Sequence, residues 1–169
     1  MEEVKIQALT AEDFKKYGTF ADMTSPNGPH LGSEPCEFYR DMGILHTGNS
    51  TDIGFSVTRV KKRPLIINEV EYHTFTGEAI LPLDGDILIH VGAATGNGVM
   101  PFSDLEVFRI PKGTLVVMDS GVWHCGPFAI ENEYINILVA LPQRTYANDC
   151  TVVKIPKESW LKIVEPSSK

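Results

Sequence analysis

Apolar and polar residues alternate along this chain in short runs, and a period of two is the pattern of half-buried strands. Residues 56–60 (SVTRV) are alternating and β-branched, and residues 65–72 form a second candidate strand. Residues 78–83 and 86–91 flank Asp84-Gly85, and Asp-Gly between two apolar runs predicts a hairpin. Further strands are expected at 105–110, 114–118, 126–129 and 134–141. Helices are expected only near the ends. Thr10 followed by Glu12 and Asp13 reads as an N-cap with acids in the first turn, and Tyr17-Gly18 ends it. Pro156 in a first helical position predicts one or two turns across 156–163. Many short strands with Gly and Pro between them, and no long helices alternating with them, predict an all-β sandwich or barrel. The chain reads as a single domain across residues 1–169. Residues 92–104 (GAATGNGVMPFSD) are glycine-rich but lack the Gly-Lys-Ser/Thr ending of a phosphate-binding loop, so they read as a loop over a barrel mouth.

Composition narrows the partners more than the fold. The net charge of −7 argues against nucleic acid and anionic membranes, which both reward clustered cations. The short basic run Lys61-Lys62-Arg63 reads as a solvated loop. Cys36, Cys125 and Cys150 are odd in number and fit no zinc-finger spacing, so free thiols in a reducing cytoplasm are expected. No basic start with an apolar run opens the chain, and no apolar stretch reaches ~18 residues. No organic cofactor is expected.

Two segments concentrate the chemistry. In the first, Glu71 and His73 are two residues apart and share a strand face, and Thr76-Gly77 permits a bend that turns Glu78 back towards them. In the second, Gly113 and Gly121 punctuate a strand that ends at His124. Two imidazoles and two carboxylates suit a mixed nitrogen and oxygen metal site, for Mn, Fe, Ni, Zn or Co, with positions left for substrate. The same residues would also serve acid/base work without a metal, or stand as a polar patch on a solvent-facing sheet. Trp123 and Cys125 alternate away from His124 on a regular strand, Trp123 towards the core.

The two segments resemble the paired motifs of the cupin superfamily. Glu71, His73, Glu78 and Gly85 take the positions of the first motif, and Gly113, Gly121 and His124 those of the second. Glu71 stands where His is usual and Asp119 where Pro is usual. The resemblance implies a cupin-like double-stranded β-helix, or jelly-roll, barrel with short terminal helices, and a metal held by Glu71, His73, Glu78 and His124. More specifically, residues 66–150 are similar to ureidoglycolate lyase, a family of purine and allantoin breakdown. The residues that carry this are Asn68 to His73, Glu78-Ala79, Val122-Trp123-His124, Arg144 and Asn148-Asp149-Cys150, and Leu9 to Phe14 fits the family's start. Three positions depart from the family: Glu78 where Gln is usual, Cys125 where a second His often follows, and Asp119 where a His often precedes. That likeness implies cleavage of ureidoglycolate to glyoxylate and urea, with His73 or His124 as base, Glu78 as partner or ligand, and Arg59 or Arg144 clamping the substrate carboxylate. It also fits a homodimer. A metal-dependent cupin enzyme for another small molecule, such as a sugar isomerase or oxygenase, and a non-catalytic metabolite-binding barrel are the alternatives.

Overall fold

The computed structural model describes residues 1–166. Among them, strands dominate, and the helices are single turns: Ala11–Phe14, Thr145–Asn148, and 3₁₀ turns at Phe102–Asp104 and Lys157–Ser159. The first turn starts as its sequence dictates. Thr10 is extended, and its hydroxyl oxygen accepts the Asp13 amide at 3.2 Å, which satisfies one of the free donors of a helix start. Phe14 then drops into the core.

The described strands build a jelly-roll barrel from two sheets, with a separate two-stranded hairpin, His30–Ser33 against Cys36–Tyr39. One sheet has five strands, in the order Gly18–Asp22, Thr114–Met118, Glu78–Pro82, Tyr134–Pro142 and Ile53–Lys61. The last of these is an edge. The other sheet has nine strands. Its path runs Thr151–Lys154, Glu69–Tyr72, Trp123–His124, Ile87–Gly92, Glu106–Ile110, Glu2–Ala8, Leu161–Val164 and Ile66–Ile67, with Phe128–Ala129 also on Ile87–Gly92. Glu2–Ala8 is parallel to both of its neighbours.

Alternation along the strands sets two cores. Ile87, Ile89 and Val91 face the space between the sheets, where they meet Ile80, Val116, Met118, Ile135 and Ile137. Leu88 faces the other way, into a second core with Val107, Trp123, Phe128, Leu161 and Ile163. The strand Ile87–Gly92 is therefore buried on both faces, which explains its apolar run Ile87-Leu88-Ile89. Each such Ile or Leu, fully buried, stabilises the fold by roughly 1.5–3 kcal/mol.

The structure corrects three expectations. Asp84-Gly85 does not close a hairpin: Glu78–Pro82 and Ile87–Gly92 belong to different sheets. The Asp84 carboxylate instead accepts the Asn136 backbone amide at 2.8 Å, and the Asp86 carboxylate accepts the Lys112 amide at 2.9 Å, so the pair anchors a corner between sheets. Residues 156–163 make one 3₁₀ turn and then the strand Leu161–Val164, whose Leu161 and Ile163 alternate into the second core. The expected strand 126–129 shortens to Phe128–Ala129, next to the two-residue Trp123–His124.

Candidate active site

The site forms where the two sheets part. Glu69–Tyr72 runs antiparallel to Trp123–His124, with Glu71 directly opposite His124. Their side chains therefore share one face of the sheet. Past Tyr72 the chain turns, and Asp149 holds the turn: its two carboxylate oxygens accept the Thr74 and Phe75 amides at 2.7 and 2.8 Å. Gly77 then passes so close to the next strand that a Cβ would lie 2.5 Å from the Met118 carbonyl oxygen. Only glycine lets Glu78 start its strand opposite Met118. Gly121, at φ +80°, turns the chain into Val122-Trp123-His124, and its amide donates to the His73 carbonyl at 2.7 Å. Gly77 and Gly121 thus bring the histidines and Glu78 together.

His73, Glu78 and His124 converge. Glu78 Oε2 lies 3.0 Å from His73 Nε2 and 3.1 Å from His124 Nε2, and the two rings are 5.2 Å apart. Both imidazoles are buried. Their other nitrogens fix the tautomers. His73 Nδ1 is 2.6 Å from the Asp149 carbonyl oxygen, and His124 Nδ1 is 2.9 Å from that of Val122. A carbonyl only accepts, so each Nδ1 carries a proton and each Nε2 faces Glu78. Burial alone would raise the Glu78 carboxyl, but hydrogen bonds and charge from His124 and His73 outweigh it and hold it at about 2. Burial opposes charging His124, yet its bond to the Glu78 carboxylate raises its pKa. Three acceptor atoms thus meet at one point, and a proton or a cation must sit among them. One ligand atom from each residue lies within 4.8 Å of the others, and this is the cluster that could hold a metal among the described residues.

His73 and Glu78 line a cleft of about 500 Å³ between the edge strand Ile53–Lys61 and the strand Glu69–Tyr72. Ser56 and Thr58 line one side and Glu71 and Cys150 the other, with Arg144 and Tyr146 on the segment above. A narrower chamber of about 70 Å³ continues beneath, past Glu78 and His124 to Cys125.

The model of the ureidoglycolate lyase family matches residues 1–162. The chain belongs to the ureidoglycolate lyase family. It is accordingly an enzyme of the lyase type. It is 24% identical over 160 residues to "Ureidoglycolate lyase" of Escherichia coli O1:K1 / APEC, covering 92% of this chain and 96% of the relative. Its likeness to the protein of that name from Shigella boydii serotype 18 has the same extent. Among solved structures, a dTDP sugar isomerase from Desulfovibrio desulfuricans G20 is similar at a TM-score of 0.49 and 13% identity, over 83% of this chain and 86% of that one.

Against this family frame, the expected site residues separate. His73, Glu78 and His124 meet, and Arg144 lines the cleft with His73 and Glu78. Arg144 holds φ at +66°, a left-handed conformation unusual for a non-glycine residue, and such strain gathers at functional sites. Glu71 stands apart from the three-residue cluster. Its carboxylate accepts the Cys150 thiol at 3.2 Å, and burial together with that carboxylate pushes the thiol up to about 12. Arg59 points away from the cleft. It lies on the face opposite Ser56 and Thr58, with its guanidinium over the Tyr134 ring at 4.6 Å. Cys125 does not turn away from His124 as a regular strand would require: the strand ends at His124, and Cys125 lines the inner chamber. Residues 92–104 do not line the cleft. They pack on Trp123, whose indole N–H donates to Thr95 Oγ1 at 3.0 Å. Sequence reasoning missed the part of Asp149, whose backbone carbonyl orients His73 while its side chain holds residues 74 and 75. Its neighbours Asn148 and Cys150 marked the segment, but only the fold reveals the contact.

Proposed function

We propose that the protein cleaves ureidoglycolate to glyoxylate and urea. The observation that supports this is the His73-Glu78-His124 cluster, two of whose members, His73 and Glu78, line a cleft that Arg144 also lines. The substrate is a carbinolamide bearing a carboxylate. Arg144 receives that carboxylate through paired N–H···O bonds. The base is an Nε2 atom of His73 or His124, because each Nδ1 is already a donor. It takes the hydroxyl proton. The C–O bond becomes a carbonyl, the C–N bond breaks, and its electron pair leaves on the ureido nitrogen. The second imidazole, charged beside Glu78, returns a proton to that nitrogen. Glyoxylate and urea result, with every proton accounted for.

The donor set also fits a divalent ion such as Mn, Fe, Ni, Zn or Co, held by His73, Glu78 and His124. When bound, it would acidify the substrate hydroxyl. Glu78, in place of the family's usual Gln, favours as a second reading a metal-dependent reaction on another small molecule. The setting the family implies is purine and allantoin breakdown in the cytoplasm.

The test is glyoxylate release from ureidoglycolate, corrected for spontaneous decay, with wild type beside His124→Ala. Release that exceeds background and vanishes in the variant supports the lyase reading. Background rates from the wild type, with and without added Mn, overturn it.

A further inference from the structure

Glu71 is a carboxylate without an opposite charge. It stands outside the His73-Glu78-His124 cluster, so it is free for another task. It lies opposite His124 across the ladder and lines both the cleft and the narrower chamber beneath. The Cys150 thiol, a weak donor, is the one side chain that hydrogen-bonds its carboxylate among the described residues. No ion pair among the described residues includes Glu71 or Arg144, although both line the cleft. Glu71 is half-buried, and a carboxylate drawn partly out of water is costly until donors meet it.

The cleft therefore offers two unspent charges of opposite sign. The Arg144 guanidinium matches an anion at one end of a ligand. Glu71 matches N–H donors at the other, because a carboxylate accepts about four hydrogen bonds and the thiol takes one. On the facing wall, Ser56 and Thr58 add hydroxyls that can donate to a carbonyl oxygen. A ureido group meets all of these demands. Its inner and terminal nitrogens each carry an N–H on the edge opposite the carbonyl, and the two bonds run parallel, as in the fork of a guanidinium on a carboxylate.

We infer that Glu71 selects the ureido group: its two oxygens accept the paired N–H bonds of that edge while Arg144 holds the ligand's carboxylate. The choice of ligand rests on the lyase reading above. The arrangement suits the chemistry. Both N–H bonds lie in the ureido plane, so the lone pair on the inner nitrogen, perpendicular to that plane, stays open to the proton of the imidazole as the C–N bond breaks. An N-acyl group in the same place has no second N–H and leaves one Glu71 oxygen unmatched.

Titration calorimetry with two inert ligands tests this. N-carbamoylglycine has the carboxylate and the ureido group but no hydroxyl, so it cannot collapse. N-acetylglycine has a methyl group in place of the terminal amino group. Wild type should bind N-carbamoylglycine about 10-fold or more tightly than N-acetylglycine. Glu71→Gln turns an amide N–H towards one of the ligand's own, and should bring the two affinities to within about 3-fold, chiefly by weakening N-carbamoylglycine. Arg144→Gln should weaken both alike, and circular dichroism checks that each variant is folded. The readout needs no turnover. Wild type that binds neither ligand or both equally, or a preference that Glu71→Gln leaves intact, overturns the inference even where ureidoglycolate is cleaved. A preference lost in Glu71→Gln upholds it even where cleavage fails.

Discussion

Glu78 binds both imidazoles through one oxygen, and that single atom governs how the site responds to pH. Its carboxyl falls from 4.5 to about 2 on folding, so in the metal-free protein it contributes stability that is complete above about 4.5 and fades as pH drops towards 2. The size is on the order of 3 kcal/mol. Glu78→Gln should therefore lose stability near neutrality and show a flatter acid limb; urea denaturation across pH 3–7 reads the difference. A variant with the wild-type acid slope would mean that Glu78 is not the group responsible. His124 has the opposite sign. Its raised pKa stabilises below its unfolded value and the gain disappears as pH rises through the folded one. A bound divalent ion would have to displace that proton, so metal affinity should climb with pH, which isothermal titration with Mn at several pH values can follow. Arg144 poses a separate test. Its left-handed backbone costs about 1 kcal/mol in any residue with a Cβ. Arg144→Gly should thus raise the melting temperature slightly while raising KM for a carboxylate substrate. A variant with unchanged KM would remove Arg144 from substrate binding. At this scale the sequence was informative about Glu71 and His73, which both line the cleft although the strand ends at Tyr72 and only His73 joins the cluster. It was silent where the direction depends on what another segment does. Arg59 and Arg144 looked equivalent, and only the register of Ile53–Lys61 against Tyr134–Pro142 turns Arg59 outward.

Among the elements, those with internal logic were readable. The strand Thr114–Met118 follows from its short apolar run, and the turn at Thr10 from capping. The Thr10 hydroxyl should be worth about 1 kcal/mol, and Thr10→Ala should lower the thermal midpoint without changing catalysis. Two elements misled. Asp84-Gly85 has the residues of a tight turn, but its carboxylate is committed to Asn136 and the chain crosses between sheets instead of reversing. Pro156 does open a helical turn, yet the residues after it read Leu161, Lys162, Ile163, a period of two that a helix cannot bury. The strand Thr151–Lys154 is mostly exposed and has little apolar pattern, so only its pairing with Glu69–Tyr72 defines it.

Across the whole molecule, the two cores divide the labour. The one between the sheets backs the His73-Glu78-His124 cluster, and the second, behind the nine-stranded sheet, joins Glu2–Ala8 to Leu161–Val164. Ile163→Ala in that second core should cost 2–5 kcal/mol, measured by chemical denaturation, with the histidine cluster left intact in the folded fraction. The strand Glu2–Ala8 lies between Glu106–Ile110 and Leu161–Val164, so residues at opposite ends of the sequence are immediate neighbours. This has a consequence for the order of events in synthesis. Glu2–Ala8 has no complete place in the sheet until Leu161–Val164 has been made. The second core cannot close before then, and the entropy of a loop this long must be met before these contacts repay it. A nascent chain stalled before residue 161 should thus remain sensitive to protease along Glu2–Ala8.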